Sequence, residues 1–226
     1  MSRTSRYLLP IGLILAIAAV ISRTGARAAV GLVPVPAPAV DAAKAPGHEQ
    51  TAVFSGGCFW GVQAVFQHVN GVVSATSGYT GGAADTAHYD IVSTGETGHA
   101  ESVEVKYDPS KVTYGQLLRV FFSVAHDPTE LNRQGPDEGT QYRSMISYTN
   151  DEQKKIAEAY IAQLNQTHVF AGRIVTQVVP LKAFYPAEGY HQNYATLHPN
   201  NPYIAINDAP KVAHLKQELP DLYRDR

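Results

Sequence analysis

The chain contains a single cysteine, Cys58, in the run Ser55-Gly56-Gly57-Cys58-Phe59-Trp60-Gly61. Residues 51–55 are β-prone. From Cys58 onward Val62, Val65, Phe66 and Val69 recur at helical spacing. The two glycines between these runs permit a tight turn, so the spacing predicts a thiol where a strand meets the N-terminus of a helix. Unpaired N–H groups and the positive end of the helix dipole there favour the thiolate, the nucleophilic form. By position alone the residue reads equally well as a small buried hydrophobe, the commoner use of a free cysteine. One cysteine excludes an internal disulfide and an all-cysteine zinc site.

Glu101 is the second group with chemistry. It shares the parity of Val103, Val105 and Tyr107, so it points to the apolar face of its strand. Desolvation there favours the neutral acid and keeps a proton available for donation. A strand-end glutamate that curls back into water is the competing reading. One enzyme reading is a cysteine hydrolase, in which Cys58 would work with His99 or His191. The nine histidines include no His-Glu-x-x-His and no closely spaced ligand trio, so no metal site is expected.

Gly57-Cys58-Phe59-Trp60-Gly61 resembles the signature of the A-type peptide methionine sulfoxide reductases. Further blocks look like that family and come in its order: Gly78-Tyr79-Thr80-Gly81-Gly82, Gly95-Glu96-Thr97-Gly98-His99-Ala100-Glu101, His126-Asp127-Pro128, Gly139-Thr140-Gln141-Tyr142-Arg143-Ser144 and Tyr190-His191-Gln192-Asn193-Tyr194. Together they span roughly residues 51–220. The resemblance implies reduction of the S epimer of methionine sulfoxide, free or in proteins, through a sulfenic acid. It implies that Cys58 attacks the sulfoxide sulfur, that Glu101 protonates its oxygen, and that Tyr89 and Tyr142 hydrogen-bond that oxygen. Phe59 and Trp60 would hold the substrate methyl group, Asp137 would help position substrate, and Tyr194 would line the site. A reading as an exported domain that only binds oxidised peptides would need a defective nucleophile or acid, and both residues are present.

No bound cofactor is implied, only an external thiol reductant: thioredoxin-like, glutaredoxin-like or a small thiol. Many family members carry further cysteines near the C-terminus. This chain has Asn201-Pro202-Tyr203-Ile204-Ala205 there, so the donor is expected to attack oxidised Cys58 directly. A second departure is Gln63, where the family often has Glu. The expected partners are oxidised proteins or peptides and a thiol-donor protein, and a monomer is expected.

The elements that must position these residues alternate between strands and helices, with some strands in succession. Val72–Ser77 and Ser102–Tyr107 read as strands, and Gly78–His88 as a loop. Thr113 and Gln116 form a capping-box pattern that opens a helix through Leu117, Leu118, Phe121 and Phe122. His126–Gln141 reads as a polar loop and Tyr142–Tyr148 as a strand, which places Tyr142 on a face with Ile146 and Tyr148. Tyr89 and Asp137 fall on loops. Asn150 caps a helix to about Leu164, Thr176–Leu181 is a last strand, and short helices are expected near 188–195 and 210–219. The pattern predicts an α+β fold: a small mixed β-sheet with flanking helices, a two-layer sandwich with a ferredoxin-like core, and a loop-rich C-terminal segment.

The chain has 226 residues, 44% hydrophobic and 17% charged, with a formal net charge of -2. That excludes a polytopic membrane protein and a disordered polyampholyte. It also argues against a duplex nucleic-acid binder, which needs a basic face. Arg3 and Arg6 precede an apolar run from Tyr7 to Ile21, and Ala26-Arg27-Ala28 has the small-residue spacing of a cleavage site. Residues 1–28 therefore read as a signal peptide, with an uncleaved anchor as the alternative. Residues 29–49, with four prolines, read as a tether or disordered leader. Residues 50–226 read as the catalytic domain, exported to the periplasm or secreted.

Overall fold

The structure, a computed structural model, describes residues 35–44 and 46–226, so the leader read at 1–28 lies outside the described residues. Strand β1 (Gln50–Ser55) leads into helix α1 (Phe59–Gln67), then β2 (Val72–Thr80). A short helix α2 (Tyr89–Val92) precedes β3 (Ala100–Tyr107) and α3 (Tyr114–Val120), which continues as a π turn over Phe121–Ala125. A two-residue ribbon, β4 (Arg133–Gln134) and β5 (Asp137–Glu138), comes before β6 (Met145–Tyr148) and α4 (Asp151–Thr167). Strands β7 (Gln177–Pro180) and β8 (Phe184–Pro186), helix α5 (Tyr194–Leu197), a π turn at Ile204–Asp208 and helix α6 (Ala209–Glu218) complete the chain.

The main sheet runs β7-β6-β1-β3-β2-β8. Its pairs are antiparallel except β6 with β7, which makes the sheet mixed. The inner four strands, with α1 and α3 as crossovers, have the split βαβ order of a ferredoxin-like core. Phe54 of β1 shows which face the helices cover. Its ring stacks on Phe66 of α1 at 4.9 Å, on Phe121 beyond α3 at 5.1 Å, and on Tyr114 at 6.2 Å. Both crossovers therefore bury the same face of the sheet. Val103 and Val105 stand opposite Phe54 and Ala52 in the β1–β3 register, and all four are completely buried. Glu101 has that same parity.

Side chains close the helix ends. Thr113 and Gln116 cap α3 reciprocally, and Asn150 accepts from the Gln153 N–H at 2.9 Å.

Several expectations need correction. Tyr142 is not on a strand: Thr140–Tyr142 form one 3-10 turn, and pairing begins only at Met145. Arg143 is the reason. Its guanidinium donates to the carbonyls of Gly98, His99 and Thr140, clasping this stretch to the loop before β3. The loop expected over 126–141 contains the β4–β5 ribbon, so Asp137 lies on a strand, and Tyr89 opens α2. Strand β8, three residues ending in proline, carries no alternation that a sequence reading could use.

The described part of 29–49 is not a free tether. Val35 is buried, and its carbonyl accepts from Arg119 Nε at 2.9 Å. The Tyr160 hydroxyl donates to the Pro36 carbonyl at 2.6 Å. Asp41 accepts from Thr113 Oγ1 at 2.5 Å and from the Gly115 N–H at 2.7 Å, so it caps α3 from outside the helix. Gly115 leaves the room, since a Cβ there would overlap the Asp41 carboxylate. Asp41→Ala should cost about 1 kcal/mol of stability, the usual worth of an N-terminal cap. A thermal melt should show the loss.

Candidate active site

Cys58 is the N-cap residue of α1 and is 7% exposed. The turn that presents it depends on Gly57, whose φ of +85° strains any residue with a Cβ. A Cβ at Gly57 would also meet the Gln134 side chain at 2.5 Å. The thiol does not rest as a ready thiolate, which corrects the expectation from its helix position. Burial pushes its pKa well up, and the carboxyl groups of Glu101 and Asp208 add to this. The Trp60 backbone N–H and the Lys211 ammonium pull the other way and do not prevail.

Glu101 is 4% exposed, and its Oε2 accepts from the Phe59 N–H at 2.9 Å. Burial pushes its pKa up to about 8, against the pull of that N–H and with help from Asp137 and Asp208. The acid therefore holds its proton at neutral pH. While neutral, it does not repel a thiolate at Cys58.

The first turn of α1 also supplies the aromatic wall. Phe59 is buried, and its ring lies 5.8 Å from Tyr79 and 5.0 Å from His191. The Trp60 indole stacks on Tyr194 with centroids 3.8 Å apart and meets Tyr203 edge-on at 6.0 Å. Its Nε1 donates to His191 Nδ1 at 3.1 Å. Tyr89 packs against the other side of this group, its ring 4.5 Å from His191 and its N–H on Glu188 Oε1 at 2.9 Å. Burial, then the Glu101 carboxyl, raises the pKa of both Tyr89 and Tyr142, so the two phenols near that acid are neutral donors. Asp137 joins from β5, where its Oδ2 accepts the Tyr203 hydroxyl at 2.5 Å. A cavity of about 390 Å³ opens beside Cys58, bordered by His126, Gln134, Asp137, Tyr203 and Lys211.

The two histidines that the hydrolase reading would use are engaged elsewhere, as is His126. His191 Nδ1 is taken by the indole, and burial lowers its pKa. His99 is held by the Gly82 N–H and the Ala83 carbonyl. His126 is bound at both ring nitrogens, by the Phe121 carbonyl and Ser144 Oγ, and burial brings its pKa down to about 4. The hydrolase reading is not supported.

The geometry adds residues that the sequence did not mark: Tyr203, His191 as a partner of Trp60, and the pair Asp208 and Lys211. Pattern alone offered no signal for Tyr203, because it lies in an irregular stretch far from Cys58. Gln63 also acquires a role. Its Nε2 donates to the Ala75 carbonyl and to Gln192 Oε1, each at 2.9 Å, and its Oε1 accepts from the Asn193 N–H at 2.8 Å. An ionised glutamate could not donate, so glutamine suits this web.

The raised pKa of Glu101 has a stability consequence. The folded state binds this proton more tightly than the unfolded chain, so its contribution is intact below about pH 4.5 and is lost as pH rises towards about 8. Urea unfolding of wild type and Glu101→Gln at pH 5 and pH 8 tests this. The variant should gain on wild type by on the order of 3 kcal/mol across that interval. A gap that does not change with pH would mean that Glu101 is ionised throughout.

Residues 50–222 match the family model described as peptide methionine sulfoxide reductase. The chain is 63% identical over 187 residues to a Mesorhizobium japonicum peptide methionine sulfoxide reductase MsrA 2, covering 83% of this chain and 95% of the relative. It is 49% identical to the Pasteurella multocida MsrA, covering 77% and 99%. Among solved structures it is similar to reduced Mxr1 of Saccharomyces cerevisiae (TM-score 0.63, 30% identity, 72% of this chain and 92% of the other). It is also similar to methionine sulfoxide reductase A of Corynebacterium diphtheriae (TM-score 0.59, 36% identity, 75% and 85%). A thiol and a protonated acid joined through one helix turn are thus found in a chain that belongs to the peptide methionine sulfoxide reductase family.

Proposed function

We propose that this reductase acts on the S epimer of methionine sulfoxide, with Cys58 as nucleophile and Glu101 as general acid. The observation that carries the assignment is the buried Glu101, hydrogen-bonded to the residue that follows the one cysteine, where burial raises its pKa to about 8. The Cys58 sulfur attacks the sulfoxide sulfur and forms an S–S bond, while the thiol proton and the Glu101 proton go to the oxygen, which leaves as water. Neutral Tyr89 and Tyr142 donate to that oxygen without drawing the proton off the acid, as a cation would. Phe59 and Trp60 receive the S-methyl group, Tyr194 backs the indole, and Asp137, held by Tyr203, orients the rest of the substrate. Water then adds to the Cys58 sulfur, breaking the S–S bond, releasing methionine, leaving the sulfenic acid and returning a proton to Glu101. In balance, thiol and sulfoxide become Cys58 sulfenic acid and methionine, so cysteine is oxidised and substrate reduced by two electrons.

With no second cysteine in the chain, recovery needs an external thiol. One thiol condenses with the sulfenic acid, releasing water and leaving a mixed disulfide. A second thiol then attacks that disulfide, restores Cys58 and leaves as the oxidised donor. The basic, apolar and small-residue order of residues 1–28 supports export, where electrons have to come from an exported or membrane-linked thiol donor. The enzyme acts there as a monomer that repairs oxidised proteins.

Turnover assays with each epimer should show reduction of S and essentially none of R, and equal rates would sink the assignment. Cys58→Ser should abolish turnover. Glu101→Gln should slow the single-turnover rate by about 10²–10⁴-fold, the usual worth of a general acid. A rate within threefold of wild type would remove Glu101 from that role.

One equivalent of sulfoxide without reductant should yield one methionine per monomer and then stop. Mass spectrometry should find about +16 Da on Cys58 from the added oxygen. Loss of two hydrogens instead would indicate an intermolecular disulfide and overturn the scheme.

A further inference from the structure

The first turn of α1 carries a second set of contacts, and they are ionic. Asp208, the last residue of the π turn before α6, is completely buried. Its Oδ1 accepts from Lys211 Nζ at 3.1 Å, while Oδ2 is buried with no hydrogen-bond partner. The pair fills the space left by Gly61. A Cβ there would overlap the Asp208 carboxylate and stand 2.8 Å from Lys211 Nζ. Lys211 also borders the cavity beside Cys58 and is the only lysine or arginine among the described residues that does so. A buried ion pair is rarely more stabilising than apolar residues of the same volume. Stability therefore gives no account of why a charged pair occupies this position.

The other groups around the thiol are Glu101 from β3, Asp137 from β5, Tyr89 at the start of α2, Tyr142 from the 3-10 turn, and Tyr203. His126 and His214 line the cavity. At neutral pH Glu101 keeps its proton, the phenols are neutral and His126 is held neutral, and Glu101 adds its charge only as the pH passes about 8. The remaining carboxyl groups are Asp208 and the Tyr203-bound Asp137, each with a pKa raised by burial, and Lys211 and His214 are the other basic side chains bordering the cavity.

We propose that Asp208 and Lys211 are positioning residues for Cys58. The buried carboxylate anchors the ammonium against the first turn of α1, and the two opposed charges set how much of the sulfur is thiolate at rest. The anion works against the thiolate and the cation for it. This inference rests on Cys58 being the nucleophile of the proposed reaction.

Cys58 is the chain's one cysteine, so its alkylation by iodoacetamide, followed by mass spectrometry across a pH series, reads its titration without any turnover. Asp208→Asn removes the anion at nearly constant shape. The alkylation midpoint should fall by about 0.5 pH, which is about threefold in rate below the midpoint. Asp208→Ser, smaller and also neutral, carries the same expectation should Asn not be tolerated. Adding Lys211→Gln to either variant removes the cation and should move the midpoint back up by a similar amount. A midpoint equal to wild type in a folded Asp208 variant overturns the proposal, as does a double variant that fails to move back. Because the assay needs no sulfoxide, its outcome is separate from failure of the reductase reading, which would appear as absent turnover with normal alkylation.

Discussion

The hydrogen bond from the Phe59 N–H to Glu101 ties a strand of the sheet to the first turn of the helix that Cys58 caps. The placing of both the acid and the thiol depends on that contact. It orients the acid, and it uses one N–H of the helix terminus on a carboxyl that burial has already made neutral. The sheet supplies the burial: β3 lies between β1 and β2 and presents Glu101 on the face that α1 and α3 cover. Phe54, packed between both helices, holds the level at which the turn at Gly57 must emerge. Proton, thiol and aromatic wall are thus set by the placing of one helix on one sheet.

The C-terminal segment completes what the sheet and α1 begin. Gln192 returns to β2, its Nε2 donating to the Ser77 carbonyl at 2.9 Å and its Oε1 accepting from the Ser77 N–H at 3.0 Å. Gln63 joins the same group from α1. This web seats His191 and Tyr194 against Trp60, while Tyr203, further along, reaches Asp137. An irregular stretch of chain can hold an aromatic wall because its polar groups are bonded back to regular elements, which meets the requirement that buried polar atoms find partners.

Much of this was legible in the sequence where local physics decides the outcome. The Gly56-Gly57-Cys58 turn, the Thr113–Gln116 cap, and the alternation from Glu101 to Tyr107 each depend on near neighbours in the chain. The turn at Tyr142 is not legible because its conformation is imposed by Arg143 reaching carbonyls more than forty residues away. The thiol's resting state is not legible for a similar reason. Helix position is a local cue, whereas the burial and carboxyl groups that overrule it arrive from β3 and the segment before α6. Residues 35–44 looked like loose linker because proline content says nothing about whether carbonyls find donors, and here Arg119, Tyr160 and Gln163 provide them.

Trp60 is the chain's one tryptophan, clamped between a tyrosine ring and a neutral imidazole acceptor. All indole emission from this protein therefore originates in the aromatic group beside Cys58. The spectrum reports the polarity there and the state of one hydrogen bond, with no contribution from another indole. The chain carries its own optical probe, held by a ring stack and a hydrogen bond, two residues from its one thiol.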